Sequence, residues 1–375
     1  MQLDELRFYY ALYLSKGIGA GRLITLRTYF GSSERIFNAS SAQLASAPGI
    51  GKIIAQEIHA SKELSLKTAD EHLTALPEGV SIITFFDTDY PESLRNIFNP
   101  PALLFIHGEP ALLRLEKNIA VIGSRRITDY GKRVTSDLCK TFAEHGVTVT
   151  SGFALGVDTA AHRAVYESGG TTIAVLGSGI DVIYPPSNKS FAKELIASGR
   201  GLIASELPLG AKPDAKNFPW RNRIVSGLSS ASVIIESDEK GGSMITASIA
   251  LDQNREVFAL PGDVDRPMSR GPNQLLSDNR AKAFRNGLDV LSALEWVNGS
   301  SESGKRKSQR KQPHFLTNDD KQLYNILEVA GEPIHIDTIV ERSGLDVQTS
   351  LVRLLEMEFQ DVVRQLPGKF FSTIF

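Results

Sequence analysis

Cysteine is nearly missing from this 375-residue chain, where Cys139 stands alone. A single thiol excludes an intrachain disulfide and any multi-cysteine zinc site, and it fits a reducing compartment. An excess of one charge is missing too: 41 Lys and Arg against 43 Asp and Glu give a formal net charge of −2. A nucleic-acid surface on such a chain must be local. No apolar run approaches the roughly 20 residues that span a bilayer. The opening MQLDELRFYYALYL puts Asp4 and Glu5 where a secretory signal carries positive charge. These absences predict a soluble cytoplasmic protein without membrane attachment. The 7 histidines lack metal-ligand spacing, and His162, four residues after Asp158, reads as half of a helix-surface pair. Neither a metal nor a cofactor is expected.

What is present divides into segments. The length predicts two or three domains, and the 42% of hydrophobic residues supply buried cores. Residues 1–75 read as short helices. KGIGAGRLITLRTYFG (16–31) and APGIGKIIAQEI (47–58) share a Gly-Ile-Gly turn followed by helical spacing. The paired turns, Gly17–Gly19 and Gly49–Gly51, resemble a tandem helix-hairpin-helix, or SAM-like, domain. Glycine permits such turns and leaves amides facing outward. Those amides meet phosphates, meet a protein, or only join packed helices.

Residues 80–298 alternate strands with helices. The β-rich runs are VSIITFF, ALLFI, IAVIGS, VTVTSG, TIAVLGSG, LIASEL, SVIIES and VFALPG. Continuous apolar runs separated by helical periodicity predict an α/β fold, a Rossmann-like doubly wound and mainly parallel sheet covered on both faces. Ligands of such sheets bind beyond the C-terminal strand ends. Residues 299–313, GSSESGKRKSQRKQP, read as a basic linker, either a plain solvated tether or a weak nucleic-acid contact. Residues 314–375 predict three helices and two short strands around Pro367-Gly368, which resembles a winged helix. Glu356 and Glu358 suit its recognition helix to protein contact or a structural role better than to a DNA groove.

Glycine-rich turns gather at the strand ends: GSRRITDYG (123–131), SGFALGVDTAAH (151–162), GSGIDVIYPPSN (177–188) and GGSMITA (241–247). Each offers amides and a helix start, and four in succession predict an anion-binding edge. The anion is not a dinucleotide, since GSRRIT lacks G-x-G-x-x-G, nor a P-loop nucleotide, since seven residues separate Gly123 from Gly131 and Lys132 precedes arginine. AKNFPWRNRIVSGLS (215–229) interleaves Lys216, Arg221 and Arg223 with Phe218 and Trp220, a composition suited to single-stranded nucleic acid. The same letters also fit core aromatics beside arginines held in structural salt bridges.

YPESLRNIFNPPALLFIHG (90–108), AVIGSRRITDYG, SGFALGVDTAAH, TIAVLGSGIDVIYPPSN, ASELPLG, FPWRNRIVSGLS, GGSMITA and VFALPG, in this order, resemble the DNA-processing protein DprA (Smf) family. The resemblance spans nearly all of residues 85–275, and both flanking segments fit it. It implies a non-enzymatic, sequence-tolerant single-stranded DNA-binding protein. Such a protein protects incoming DNA in natural transformation, loads a RecA-type recombinase and acts as a homodimer. It further implies that Gly123, Ser124 and Arg125 hold a backbone phosphate, and that Ser151, Gly152 and Gly156 line the adjacent turn. Phe218 stacks on a base with Lys216, Arg221, Asn222 and Arg223 around it, while Lys240, Gly241, Gly242 and Ser243 close the far side. Three positions depart from the family pattern: Leu155 replaces a cation, Asp278-Asn279-Arg280-Ala281 replaces an Asp-Gly-Ala turn, and Lys240 precedes Gly-Gly-Ser instead of Ser-Gly-Ser.

The rival class is the Rossmann-like, lysine-decarboxylase-like nucleotide phosphoribohydrolase, which shares a Gly-Ser-Arg turn. Its chemistry needs a glutamate in the helix after the glycines. GGSMITASIALD has no carboxylate between Gly241 and Asp252, more than two helical turns away, and a general acid must lie within hydrogen-bond reach of its proton.

Overall fold

The structure, a computed structural model, describes residues 2–297, 317–330, 333–359, 362–366 and 369–373. The 299–313 linker and the Pro367-Gly368 turn lie outside the described residues. The chain forms two compact units, 1–299 and 300–375.

Five helices open the first unit: α1 (Leu3–Leu14), α2 (Ala20–Phe30), α3 (Ser33–Asn38), α4 (Ser41–Leu44) and α5 (Lys52–Thr74). Both glycine hairpins use the same device. Gly17 and Gly49 take the left-handed conformation, with φ of +80° and +73°, and Gly19 and Gly51 then stand as N-caps of α2 and α5. At 23 residues α5 is longer than the short helices expected; Ala55, Ile58, Ser65 and Ala69 form its buried stripe at helical spacing.

A nine-stranded sheet follows: β1 (Val80–Thr84), β2 (Leu103–Gly108), β3 (Asn118–Ile122), β4 (Thr148–Ser151), β5 (Thr172–Val175), β6 (Gly201–Ser205), β7 (Ala231–Ile234), β8 (Glu256–Ala259) and β9 (Lys282–Ala283). Its order is β1-β2-β6-β5-β4-β3-β7-β8-β9. Pairing is parallel from β6 to β9 and antiparallel at β1-β2 and β2-β6. The eight apolar runs each form a strand. β9 was not expected, because two residues carry no periodic signal.

Helices α6 (Glu92–Arg95), α7 (Asp129–Glu144), α8 (Val157–Glu167), α9 (Lys189–Ala197), α10 (Asn217–Gly227), α11 (Gly242–Asp252), α12 (Arg270–Ser277) and α13 (Gly287–Ala293) complete the unit. Alternation along β3 sets the layers. Ile119 and Val121 pack with Leu138 and Phe142 of α7, Ala161 of α8 and Leu291 of α13. Ala120 and Ile122 belong to the opposite layer, with Ile224 of α10, Ala247 of α11 and Leu275 of α12. Each fully buried Val, Leu, Ile or Phe among these contributes roughly 1.5–3 kcal/mol. A third apolar cluster joins Tyr9, Tyr10 and Leu23 of the N-terminal helices to Phe105, Ala174, Ile203 and Phe191. The Tyr9 hydroxyl donates to the Ala102 carbonyl at 3.0 Å, and the Tyr13 hydroxyl to the Glu206 carbonyl at 2.6 Å.

The second unit contains α14 (Asn318–Ala330), β10 (Ile334–His335), α15 (Ile336–Ser343), α16 (Val347–Phe359), β11 (Val363–Leu366) and β12 (Phe370–Thr373). Thr317 and Asp320 cap α14 reciprocally: the Asp320 N–H donates to Thr317 Oγ1 at 3.2 Å, and the Thr317 N–H to Asp320 Oδ2 at 2.9 Å. Leu323, Leu327, Ile339, Leu354 and Phe371 fill the core beneath a β10-β12-β11 sheet, a winged-helix arrangement.

Candidate functional site

β3 pairs with β4 on one side and β7 on the other, so the chain winds outward in both directions from it. That switch point is where doubly wound sheets hold ligands. A cleft of about 430 Å³ opens there, lined by the turns after β3, β4 and β7, the cleft face of α10 and the start of α11.

The turn after β3 is braced from below. The Ser124 N–H donates to the Glu236 carbonyl at 2.7 Å, and the Arg126 N–H donates to Ser124 Oγ at 3.0 Å. The Glu236 carboxylate accepts from the Thr128 N–H at 2.8 Å and from the Thr128 hydroxyl. A Cβ on Gly131 would collide with that carboxylate. Gly156, at φ +83°, lets the turn after β4 press against Ser124 and Arg125, and the Val157 N–H donates to the Ser124 carbonyl at 3.1 Å. The two turns therefore interlock, leaving the Arg125 and Arg126 side chains exposed on the cleft.

Arg125 reaches across to α10, its guanidinium carbon 5.0 Å from the Phe218 ring centroid. Gly177 makes room for that ring, since a Cβ there would stand 2.8 Å from Phe218 Cδ1. The turn after β5 thus supports the site without lining it, whereas the sequence suggested four equivalent anion-binding turns. On the far wall, Gly241 approaches the Ser237 hydroxyl too closely for any Cβ. Ser243 Oγ bonds Ser237 Oγ at 2.7 Å, and Gly242 is open to the cleft.

Arg221 forms the floor. It is buried, its Nη1 donates to the Val175 carbonyl, and its Nε has no partner among the described residues. Gly152 leaves the space that its guanidinium occupies. Burial pulls Arg221 down to about 10, with the Asp158 charge opposing that shift; the group stays cationic at neutral pH. Burial pushes the Asp158 carboxyl up, while Arg221 and the amides of Ala154 and Gly152 pull it back. Those two amides donate to Asp158 Oδ2 at 3.3 and 3.1 Å.

The cleft therefore brings together Gly123, Ser124, Arg125, Gly152, Phe218, Arg221, Asn222, Gly241, Gly242 and Ser243. Five other expected residues are not among its lining. Ser151 is buried and donates to the Val121 carbonyl at 2.6 Å, tying strands together, and Gly156 shapes the turn from behind. Lys216 and Lys240 are exposed beside it. Arg223 requires a correction: it is buried in an ion pair with Glu206 at 2.5 Å and is not free to pair a phosphate in the cleft. The Asp158–His162 surface pair is also overturned. Both residues are buried, and His162 Nδ1 meets the Thr172 hydroxyl at 2.7 Å. Burial first, and the Arg221 charge second, bring His162 down to about 3. Sequence reasoning missed Arg126, adjacent to a residue it chose, Asp238, which also lines the cleft, and Asp158 and Glu236, whose roles depend on contacts with distant segments. Leu155, where the family pattern has a cation, is half exposed. Among the described residues, no cluster of His, Cys, Asp or Glu could hold a metal ion, and no helix is long and apolar enough to cross a membrane.

Fold and cleft together define a Rossmann-like α/β protein with a glycine-lined crevice at its switch point, followed by a winged helix. The family described as DNA recombination-mediator protein A matches residues 81–295, and the DprA winged helix domain matches residues 307–369. Protein Smf of Synechocystis is 32% identical over 98% of both chains. Protein Smf of Escherichia coli is 36% identical over 74% of both. The crystal structure of DNA processing protein A from Streptococcus pneumoniae superposes with a TM-score of 0.66 at 30% identity, covering 76% of this chain and 97% of that one. DNA processing protein A from Helicobacter pylori, whose structure was described for its single-stranded DNA binding mode, gives 0.52 at 31% identity over 58% and 95%. The chain belongs to the DprA (Smf) family.

Proposed function

We propose that this protein binds single-stranded DNA without sequence preference in the cleft at the β3/β7 switch point. In natural transformation it thereby protects incoming DNA and loads a RecA-type recombinase, acting in the cytoplasm as a homodimer. The observation that carries the reading is the Arg125 guanidinium over the Phe218 ring, at the mouth of a glycine-walled cleft. A cation for a phosphate and a ring for an unpaired base are the two sequence-independent elements of single-strand recognition. The single-strand binding described for the Helicobacter pylori relative supports it. Duplex DNA hides its base faces, so the ring favours the single strand.

We assign the cleft no catalytic step. Its buried carboxyl, Asp158, is tied to two amides and a guanidinium. The first carboxylate of α11 is Asp252, at the helix's far end. Release of base from a nucleoside monophosphate would reverse that assignment in favour of a phosphoribohydrolase. Fluorescence anisotropy of labelled single- and double-stranded oligonucleotides at two salt concentrations tests the binding. Preference for the single strand that weakens as salt rises is expected, and equal or stronger duplex binding would refute it.

A further inference from the structure

We propose that a second nucleotide subsite lies on the opposite side of α10, where Trp220 meets the first glycine hairpin, and that the strand held in the cleft continues into it. This rests on the single-strand reading above and extends its reach. At 3.6 residues per turn, Phe218 and Trp220 point about 200° apart around the helix. Phe218, Arg221 and Asn222 face the cleft. Trp220 lines a separate groove of about 340 Å³ with Tyr13, Ile18, Gly19, Glu206 and Pro208.

The groove repeats one element of the cleft, a guanidinium against an aromatic ring, while its described lining residues include Glu206 and neither lysine nor arginine. Trp220 is 48% exposed, a large ring left in solvent. Beneath it Arg223 is wedged between two groove-lining side chains, its guanidinium carbon 4.5 Å from the indole centroid and its Nη2 2.5 Å from Glu206 Oε1. Arg223 Nε and Nη1 are buried without a partner among the described residues. The Glu206 charge is therefore offset by a buried guanidinium in the groove wall. Among the described residues, Gly19 caps α2 with no side-chain hydrogen bond and with nothing within 4 Å of where a Cβ would stand, which leaves the first amides of α2 open to an acceptor. Lys16 and Arg22 are exposed on this hairpin, and Lys216 stands one helical turn before Trp220 on its own face of α10. Continuity selects the occupant. Cleft and groove share α10, and Pro219, between the two aromatics, lines the cleft. A strand leaving Phe218 over the first turn of α10 meets Trp220 next, with bases for the ring and phosphates for the cations and amides.

The chain has 2 tryptophans, and the other, Trp296, packs against the sheet core. The Trp296→Phe protein thus reports on Trp220 alone. It is titrated with oligothymidines of roughly 5 and roughly 15 nucleotides, bracketing a short and an extended site, with anisotropy recording binding. Both lengths bind, and only the longer quenches the indole. Trp220→Ala weakens the longer strand roughly tenfold more than the shorter, and Trp220→Tyr recovers most of the difference. Bound long strand with unchanged indole fluorescence, or equal losses at both lengths, overturns the proposal and leaves the groove to a peptide partner. If the parent protein binds neither length, the cleft reading fails and this extension with it. Should Trp220→Ala not fold, quenching in the Trp296→Phe protein decides alone.

Discussion

Arg125→Ala removes the exposed cation that lies 5.0 Å from the Phe218 centroid and should change how salt acts on binding. On single strands, each phosphate neutralised adds about −0.7 to the slope of log affinity against log salt. Losing one contact makes the slope shallower by that amount. Over a fourfold rise in salt, the variant then loses about 2.6-fold less affinity than the parent, although it binds more weakly throughout. Arg125→Lys keeps the charge and the slope but gives up the flat guanidinium over the ring. Phe218→Ala is the mirror case: a loss of roughly 1–3 kcal/mol of stacking with the slope intact. Anisotropy titrations across a salt series, on oligothymidine and on a mixed sequence, measure both quantities. Arg125→Ala should shift the two sequences equally. An unchanged slope in Arg125→Ala, or a flattened one in Phe218→Ala, would refute the division of labour.

Three further outcomes concern stability. Arg223→Ala strands Glu206, whose side chain is 8% exposed, and should cost about 3–5 kcal/mol in a denaturant melt; a shift within about 0.5 kcal/mol would mean the pair is not buried. Gly152→Ala drives a methyl into the Arg221 guanidinium and should cost about 1–3 kcal/mol while weakening DNA binding; an unchanged midpoint would contradict the packed floor. His162 is pulled from 6.5 to about 3 by burial, so the unfolded chain binds the extra proton. Its contribution is complete above pH 6.5 and declines as the pH falls toward 3, by at most about 1.4 kcal/mol per pH unit. His162→Gln should flatten the difference between urea melts at pH 7 and pH 5, and an unaltered difference would place His162 in contact with water.

The frame was legible because its signals are local. Each apolar run that forms a strand is contiguous, and Gly17, Gly49 and Gly156 mark turns whose φ another residue would strain. The Arg125–Phe218 pair was legible in parts: both residues stood in conspicuous motifs, yet nothing in the sequence set them 5.0 Å apart. Arg221 and Arg223 show where letters stop. Three cations around two rings fit an exposed surface and structural salt bridges alike, and Arg223 answers Glu206 beyond the end of β6 while Arg221 answers Asp158 in the first turn of α8. Burial of an arginine depends on such a distant carboxylate, and composition near the arginine carries no trace of it. Glu236 was invisible for the same reason, since its carboxylate meets a threonine 108 positions away.

A structure of the protein with a short oligothymidine tests the central claim most directly. The expected result places a phosphate within hydrogen-bond distance of the Gly123–Arg126 turn and a thymine ring on Phe218. An ordered strand bound elsewhere on the protein, with that cleft empty, would contradict it.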